Sequence, residues 1–515
     1  MDGDRRVSGA APRAGGGTAA LAAGLLALVL WRVLALRLNG LDLFMDEAQY
    51  VVWARDLASG YYSKPPLLAW IIALTTHACG EGQACVRSAA TVMYALTALC
   101  IHVAMRGRFD ARSGVYAALI YITLPLIGIY SLFISTDAPL SLMTALAIVF
   151  ALRALRTGAT ADWLLLGLSA GLGLLAKYSF GLLILAFVAF LLADPGARRL
   201  WRTPGPWLAA ALGAAVFAPN LAWNAGQHFI TFTHTAEISQ LDKRSLHPLG
   251  LLAFVAGQCL AFGPIAVWLL VRNVRLPSRV ADREPARQQA LRLLLTLAAL
   301  PLLFFCGLAF ASRANLNWPM FAFVPLSMLL GHALAQRARV RALALVAGFG
   351  VVAGGLVQHY PAWSAWAGMR PAYRHDPFGR VAGWSALAGR VSDVMQRHPD
   401  CDILTDTRTL AAELLYYVKP TPEGLAMWNP SGRITDHFRL TRDVAARPAG
   451  SFIYVGEGAD PAVFADAFER VEVLQRIEVS THPDHAHRVW LMRLTHFKGY
   501  PARVARADDP PGPFD

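Results

Sequence analysis

Long apolar runs separated by short polar stretches fill the first two-thirds of the chain. Several runs reach about 18–20 residues, enough to cross a hydrocarbon core of about 30 Å. One longer run, residues 163–192, is long enough for two spans if the chain turns near Lys177. The pattern therefore predicts an α-helical polytopic membrane protein with about eleven transmembrane helices. The other predicted spans are residues 18–36, 89–105, 115–133, 138–152, 206–223, 248–271, 291–311, 320–335 and 342–357.

Charge is scarce and clustered, which agrees with a membrane protein. Only 16% of the residues are charged, whereas soluble proteins carry about 25%. The net charge of +13 could suggest nucleic acid, but its placement argues against that partner. The arginines recur after alternate spans, as the positive-inside rule requires. They are Arg5, Arg6 and Arg13 before the first span, then Arg106, Arg108, Arg112, Arg153, Arg156, Arg198, Arg199, Arg202, Arg272, Arg275, Arg279, Arg283, Arg287, Arg337, Arg339 and Arg341.

This arginine pattern predicts a cytoplasmic N-terminus. With an odd number of spans, the C-terminal region then lies outside, which in a bacterium means the periplasmic side of the inner membrane. The first apolar run is too long for a cleaved signal peptide, so we expect an uncleaved span.

Two domains are predicted. Residues 1–357 form the membrane domain, and residues 358–515 have the composition of a small soluble α/β domain. Apolar stretches at 401–405, 451–455, 473–479 and 488–494 predict strands, and residues 410–418 have the apolar spacing of a short helix. The Pro-rich, acidic tail 508–515 is expected to be disordered.

The first outer loop, about residues 38–88, holds an acid pair. Asp46 and Glu47 begin a segment in which Tyr50, Trp53 and Leu57 recur at helical spacing. We expect an amphipathic helix on the membrane surface, followed by a second interfacial helix over residues 67–78, which are too few to span. The acids could serve catalysis, or they could simply favour the first turn of a helix.

Further polar residues collect on the same predicted side of the membrane. Lys64 precedes two prolines and could contact phosphate, or it could reach towards lipid head groups. Asp137 could be functional or an N-cap. Lys177 lies deep in apolar sequence and needs a partner or a polar cavity. Arg313 is a third candidate cation, and the candidate substrate-binding residues are Tyr50, Tyr62, Tyr178, His228, Asn317 and Trp318.

Such a set suits a catalyst that moves a sugar from a lipid phosphate. A carboxylate can accept the proton of an acceptor hydroxyl, and lysine or arginine can offset charge on the departing phosphate. Adjacent acids could also hold a divalent ion. The chain shows no dedicated metal cluster, so the metal requirement stays open and no cofactor is assigned.

Five motifs make the chain resemble the bacterial branch of glycosyltransferase family 39, which contains protein O-mannosyltransferases and lipid A aminoarabinose transferases. They are Asp46-Glu47-Ala-Gln-Tyr50, Tyr62-Ser63-Lys64-Pro65-Pro66, Ser135-Thr136-Asp137-Ala-Pro139, Gly173-Leu-Leu-Ala-Lys177-Tyr178 and Asn317-Trp318-Pro319. The resemblance covers most of residues 20–330. It implies a GT-C fold, inversion at the anomeric carbon and a polyprenyl-phosphate-linked sugar donor.

The resemblance also implies residue roles. Asp46 and Glu47 match the catalytic acid pair, with Asp46 as general base; Lys64 matches a contact to the donor phosphate, and Asp137 matches a further functional acid. Lys177 and Arg313 are assigned to phosphate less directly. Ser63 departs from aminoarabinose transferases, which often have an acid there, and the sequence looks more like the lipopolysaccharide galacturonosyltransferases.

The predicted function is therefore transfer of one sugar to lipid A, lipopolysaccharide or another envelope glycan, with membrane lipids around the protein. Two alternatives stay open. One is a protein O-mannosyltransferase, which differs in its acceptor. The other is a flippase for lipid-linked sugar, although the sequence shows no related halves and its acids lie in an outer loop.

Cys79 and Cys85 lie in this same loop. An oxidising compartment would permit a disulfide between them. The alternative is two small buried residues.

Overall fold

The computed structural model describes residues 16–240, 246–274, 284–422 and 424–500. The arginines at positions 5, 6, 13, 275, 279 and 283 and the acidic tail lie outside these ranges. The helices before the C-terminal domain are α1 (Gly16–Asn39), α2 (Met45–Arg55), α3 (Leu67–Cys79), α4 (Gln83–Arg108), α5 (Ala111–Thr123), α6 (Pro125–Tyr130), α7 (Asp137–Thr157), α8 (Thr160–Ala176), α9 (Gly181–Ala193), α10 (Pro204–Gly226), α11 (Ile230–Ser239), α12 (Pro248–Phe262), α13 (Pro264–Asn273), α14 (Pro285–Ala311), α15 (Phe323–Ala335), α16 (Val340–Gln358) and α17 (Tyr360–Trp366).

All eleven predicted segments are helical. By length and apolar composition, six helices of the described chain can each cross a membrane, and the pair α12–α13 is a seventh if it is one bent span. Of the four remaining segments, three are shorter apolar helices, namely α8, the stretch Tyr178–Ala193 and the stretch Met320–Ala335. The fourth is the broken pair α5–α6. The predicted turn at Lys177 is confirmed, because α8 ends at Ala176 and Lys177 is extended.

Two predicted spans are not continuous helices. The run 115–133 breaks between α5 and α6, where Pro125 removes a backbone donor and disfavours helical geometry at Leu124. The run 248–271 bends by 94° between α12 and α13. Gly263 takes a φ of +94° there, and Pro264 starts the next helix, so both residues favour the break.

Small residues allow the membrane helices to pack closely. Gly331 of α15 faces the backbone of Ala117 on α5, and a side chain at Gly331 would overlap it. Gly167 of α8 meets Ala209 of α10 in the same way. Close backbone approach is the usual means of helix association in lipid, where apolar side chains gain little from leaving the bilayer.

The two ends of the helix bundle differ chemically. At one end, Arg156 donates to the carbonyl of Gly107 at 3.0 Å, and Arg337 and Arg339 both donate to Asn273 Oδ1 at 2.6 and 2.7 Å. The first loop and the C-terminal domain lie at the other end. The predicted clustering of arginines on one side is therefore present in the fold.

The C-terminal domain is α/β, as predicted. It contains α18 (Trp384–Arg397), β1 (Asp402–Thr405), α19 (Arg408–Tyr417), β2 (Ala426–Met427), α20 (His437–Thr441), β3 (Phe452–Gly456), α21 (Ala462–Ala465), β4 (Phe468–His482) and β5 (His485–Phe497). The sheet order is β2-β1-β3-β5-β4. The β1 strand is parallel to β2 and β3, whereas β5 is antiparallel to β3 and β4.

Alternate residues of the sheet enter two different cores. Ile403 and Ile453 belong to the core that contains α18, α19 and the membrane helices, whereas Leu404 and Phe452 belong to a second core with α21. The helices α18 and α19 therefore lie between the sheet and the membrane domain. The sequence pattern missed α18 and the two-residue β2.

One prediction about the first loop is wrong. The α2 helix does not lie on the membrane surface with one exposed face, because residues 47–53 are all buried. It packs between α3 and α19, and Leu57 is exposed beyond its end. The short helix predicted over residues 67–78 is present as α3.

Covalent and polar links fasten this loop in place. Cys79 and Cys85 are joined in a disulfide across the turn between α3 and α4, with Cα atoms 5.9 Å apart. Tyr417 Oη, at the end of α19, accepts from Leu43 N and Gln83 Nε2, both at 2.7 Å. The C-terminal domain is thus hydrogen-bonded to the loop near both of its ends.

A carboxyl group is buried in this contact between domains. Neither side-chain oxygen of Glu413, on α19, has a hydrogen-bond partner among the described residues, and the residue is 1% exposed. Burial raises the pKa of Glu413 well above its usual value, and the negative charges of Asp42 and Glu47 raise it further, while Arg87 opposes them. Glu413 is therefore protonated in the folded protein to a higher pH than in the unfolded chain.

Protonation of Glu413 predicts a pH-dependent stability. The unfolded chain releases this proton at the usual carboxyl pKa, whereas the folded protein keeps it to a higher pH. Wild-type stability therefore falls as pH rises from the usual carboxyl pKa towards the raised pKa of the folded state. Glu413→Gln keeps the shape of the side chain but does not titrate. The unfolding temperature of the variant minus that of wild type should therefore be more positive at pH 8 than at pH 5. Thermal unfolding in detergent measures this. A gain of about 2–4 °C corresponds to roughly 1 kcal/mol for a domain of this size, and equal differences at both pH values would contradict the assignment.

Candidate active site

Three predicted residues from distant parts of the chain meet at Asp137. Lys177 Nζ donates to Asp137 Oδ1 at 2.8 Å, and Asn317 Nδ2 donates to Asp137 Oδ2 at 2.7 Å. Asp137 is the first residue of α7, but its carboxylate binds these side chains instead of capping the helix. The break after α8 frees Lys177 to reach it, which supplies the partner that an intramembrane lysine needs.

Lys64 lies beside this group. Its side chain makes no hydrogen bond or ion pair with any residue in the described ranges. Burial lowers the pKa of Lys64, the positive charge of Lys177 lowers it further, and Asp46 and Asp137 oppose the shift. The Lys64 ammonium is therefore within electrostatic reach of Lys177, Asp46 and Asp137, and it has no ion-pair partner in the described ranges.

The two members of the acid pair point to different places. Glu47 is 1% exposed and forms an ion pair with Arg87 at 2.7 Å. Its oxygens also accept from Phe44 N at 2.9 Å and from Ile134 N at 2.8 Å. Both oxygens of Glu47 are therefore engaged in structural bonds.

Asp46 is the open member of the pair. Its side chain is 38% exposed, and Arg408 Nη2 lies 3.6 Å from its Oδ1. Its charge acts on the pKa values of Lys64 and Tyr50, which places it at the same site. Asp46 therefore keeps free acceptor capacity within electrostatic reach of the Lys64 ammonium.

The predicted aromatic residues surround this site unevenly. Tyr50 and Tyr62 are buried, and Tyr62 packs against His234 with ring centroids 4.9 Å apart. Burial, with the positive charges of Lys64 and Arg408, lowers the pKa of His234 to about 4, so this ring is neutral near pH 7.

The other aromatic candidates lie further along the bundle. Tyr178 Oη donates to Asn220 Oδ1 at 2.9 Å, and its ring stacks on Phe232 at 4.6 Å. Trp318 packs against Phe305. Tyr178 and Trp318 thus have partners of their own.

Two predicted residues are not brought to this group. Arg313 is exposed in the loop after α14, and His228 is exposed after α10 with a φ of 53°. Within the described residues, neither side chain has a contact that links it to Lys64, Asp46 or Asp137. Their assigned roles stay predictions.

The chain is similar in sequence to known glycosyltransferases. Residues 63–223 match the family model described as dolichyl-phosphate-mannose-protein mannosyltransferase. The chain is 28% identical to the lipid A galacturonosyltransferase RgtD of Rhizobium johnstonii, over 87% of the chain and 92% of that protein. It is 30% identical to the undecaprenyl phosphate-alpha-4-amino-4-deoxy-L-arabinose arabinosyl transferase of Pseudomonas aeruginosa, over 62% of the chain and 58% of that protein.

The fold agrees as well. The crystal structure of ArnT from Cupriavidus metallidurans bound to undecaprenyl phosphate superposes with a TM-score of 0.62 at 15% identity, covering 96% of this chain and all of that one. The protein is a membrane glycosyltransferase with a GT-C fold. The resemblance drawn from the five sequence motifs is confirmed.

The sequence motifs of this glycosyltransferase did not reveal Arg408. It stands at the start of α19 in the soluble domain, where a single arginine carries no signal of its own. Only the fold brings it to Asp46, more than 350 residues earlier in the chain.

The glycosyltransferase has no group of three or more metal-ligating side chains among the residues described. Asp46 and Glu47 also diverge, one towards Arg408 and the other towards Arg87. This pair therefore does not form a two-carboxylate clamp.

The Glu47–Arg87 pair should be needed for folding. Removing one partner of a buried pair leaves an uncompensated charge and costs about 3–5 kcal/mol. Glu47→Gln and Arg87→Gln should each unfold at a clearly lower temperature than wild type. The matched control is Arg488→Gln, because its ion pair with Glu478 is exposed and should matter by less than about 1 kcal/mol. A Glu47→Gln protein that unfolds like the control but has lost activity would instead indicate a chemical role.

Proposed function

We propose that the protein transfers a single sugar from a polyprenyl-phosphate donor to lipid A or another part of lipopolysaccharide, with inversion at the anomeric carbon. The lipid A acceptor rests on the relative whose name specifies lipid A, and the polyprenyl-phosphate donor rests on the relative whose name specifies an undecaprenyl-phosphate sugar. The family-model description names protein as acceptor instead, and it matches a shorter part of the chain.

The observation that carries the proposal is the unequal state of the three acids. Glu47 and Asp137 have both oxygens occupied by hydrogen bonds. Asp46 has only the long contact to Arg408, and it lies within electrostatic reach of Lys64. A general base needs a free lone pair within reach of the proton that it removes, and Asp46 meets this need.

In the proposed reaction, Asp46 accepts the proton of the acceptor hydroxyl. The hydroxyl oxygen attacks the anomeric carbon, and the bond from that carbon to the phosphate oxygen breaks. The bond electrons leave with the polyprenyl phosphate, which gains a second negative charge. Lys64, with its unused ammonium, offsets this charge, and attack opposite the leaving group inverts the carbon.

The remaining residues would hold this geometry. Lys177 is oriented by its hydrogen bond to Asp137, so it can add positive potential within electrostatic reach of Lys64. Asn317 fixes the other oxygen of Asp137. Tyr62 and Tyr50 would form part of the sugar site. Glu47 serves as the residue that positions Asp46, since it anchors the start of α2.

We further propose that the arginine-rich end faces the cytoplasm and that the active site faces the periplasm of a bacterial inner membrane. The arginine contacts at the end of the bundle opposite the first loop support this orientation. The domain boundary is placed near Gln358, where α16 ends, with residues 1–357 as the membrane domain.

The orientation predicts distinct reporter signals. Fusions truncated at Gly60 or Ser451 should report a periplasmic location, and a fusion at Gly158, between α7 and α8, should report a cytoplasmic one. Paired alkaline phosphatase and green fluorescent protein reporters measure each position with opposite signals. A cytoplasmic signal at Ser451 would refute the proposed placement of the C-terminal domain.

Asp46→Asn tests the proposed base. The amide keeps the shape but cannot take the proton, so kcat should fall by about 10²–10⁴-fold, while expression, folding and donor KM change little. Transfer to purified lipid A in detergent, with synthetic galacturonosyl and aminoarabinosyl polyprenyl-phosphate donors both supplied, measures the loss. A folded variant that keeps more than about a tenth of the wild-type rate would exclude Asp46 as base.

Lys64→Ala is the comparison in the same assay. The donor phosphate is charged before and after transfer, so this variant should raise KM as well as lower kcat. A pure kcat effect, equal to that of Asp46→Asn, would show that Lys64 does not hold the donor phosphate.

A further inference from the structure

The α19 helix brings part of the C-terminal domain to the active site. Thr407 caps its start by accepting from Leu410 N at 3.3 Å, and Thr409 Oγ1 donates to Met45 Sδ at 3.0 Å. The far end is held by the Tyr417 contacts to Leu43 and Gln83. Arg408, the first residue of α19, is thus fixed beside Asp46 by contacts on both sides.

The guanidinium of Arg408 is underused. Its Nη2 lies 3.6 Å from Asp46 Oδ1 and 3.9 Å from Met45 Sδ, and its other N–H groups have no partner in the described parts of the chain. A guanidinium carries five N–H donors in a fork that matches an oxyanion. By contrast, Arg87 places Nε, Nη1 and Nη2 on Glu47, Leu41 and Asp42.

The contact with Asp46 leaves most of the Arg408 guanidinium available to a second anion. Lys177 is paired with Asp137, and the single negative charge of a sugar phosphodiester can be met by Lys64. The charge of Arg408 is balanced by Asp46, but the Arg408 side chain is 23% exposed and its remaining N–H groups can donate to an oxyanion. Its charge lowers the pKa of Lys64 and of His234, so it lies within electrostatic reach of both.

Ser63, which precedes Lys64, argues against an amino sugar as the donor. Ser63 is buried and neutral, so it offers no carboxylate to an amino group on the sugar. Of the two carboxylates at the site, Asp137 is paired with Lys177 and Asp46 is the proposed base, so neither is assigned to an ammonium group on the sugar. The arrangement favours a sugar that carries its own negative charge.

We propose that Arg408 binds the carboxylate of a hexuronic acid in the donor, so that the C-terminal domain supplies a specificity-determining residue. This inference rests on the proposed function, because it takes the donor to be a sugar on polyprenyl phosphate. The phosphate then lies at Lys64, the anomeric carbon near Asp46, and the sugar carboxylate at Arg408.

The test compares two synthetic donors with the same lipid and the same ring configuration. One is a galacturonosyl polyprenyl phosphate and the other is its galactosyl counterpart, in which a hydroxymethyl group replaces the carboxylate. Wild type should prefer the uronosyl donor in kcat/KM by at least about 100-fold, as sites built around a charged or polar substrate group do. In Arg408→Gln this preference should shrink to less than about tenfold, because the charged fork is lost.

The preference is a ratio within one preparation, so partial unfolding lowers both rates and leaves it unchanged. Lys64→Ala should slow both donors alike, because both carry the phosphate. Arg390→Gln is the matched control: this arginine lies on α18 of the same domain and only contacts the carbonyl of Glu478, so it should keep the wild-type ratio. If Arg408→Gln yields no folded protein, Arg408→Lys replaces it and should reduce the ratio by about tenfold, because lysine keeps the charge without the fork.

Three results would overturn the inference. An Arg408 variant that slows both donors equally would place Arg408 on the phosphate or in the fold. If wild type used the galactosyl donor as well as the uronosyl donor, the proposed specificity for an acidic sugar would be refuted. Transfer from aminoarabinosyl polyprenyl phosphate but from neither hexosyl donor would overturn this inference and leave the proposed function intact, whereas no transfer from any polyprenyl-phosphate sugar would overturn the proposed function itself.

Discussion

The buried pair between Glu47 and Arg87 is the interaction on which the site depends. Arg87 lies near the start of α4, and it binds the backbone of Leu41 and Asp42 as well as Glu47. Glu47 in turn accepts from Ile134, just before α7. One ion pair therefore joins the first loop, α4 and the segment that leads to Asp137. Both charges are almost fully buried, so breaking the pair would leave an uncompensated charge in the interior at a large free-energy cost.

The neighbour of Glu47 gains its chemical freedom from this anchor. Successive residues in a helix point about 100° apart, so when Glu47 turns towards α4, Asp46 turns towards the open side. The adjacent acids thus divide two tasks between them. Glu47 uses its hydrogen bonds to hold the loop, whereas Asp46 keeps lone pairs free for a substrate. The same division separates Lys177, which is paired, from Lys64, which is not.

Much of this arrangement could be predicted from the sequence, and the reasons for the misses are physical. The apolar runs located the six helices of the described chain that can cross a membrane and the bent pair α12–α13, because lipid demands long apolar stretches whatever the tertiary fold. Five short motifs located Asp46, Lys64, Asp137, Lys177 and Asn317, which the structure brings together. The burial of α2 could not be foreseen, because periodicity reports an apolar face but not a second partner above the helix. Arg408 was missed for the same reason: its importance comes from a contact across two domains. Arg313 and His228 shared the predicted side of the membrane, but a shared side does not specify a shared site.

The contact between Leu43 and Tyr417 joins residues 374 positions apart, and this distance has a consequence for biosynthesis. The first loop leaves the ribosome well before the helix that covers it. At about 5–20 residues per second, the loop waits roughly 20–75 s for α19. During that time the buried face of α2 has no α19 to pack against, and Arg408 does not yet exist. A nascent chain stalled before α19 would hold the first loop without the Leu43–Tyr417 contact and without the contact of Arg408 with Asp46.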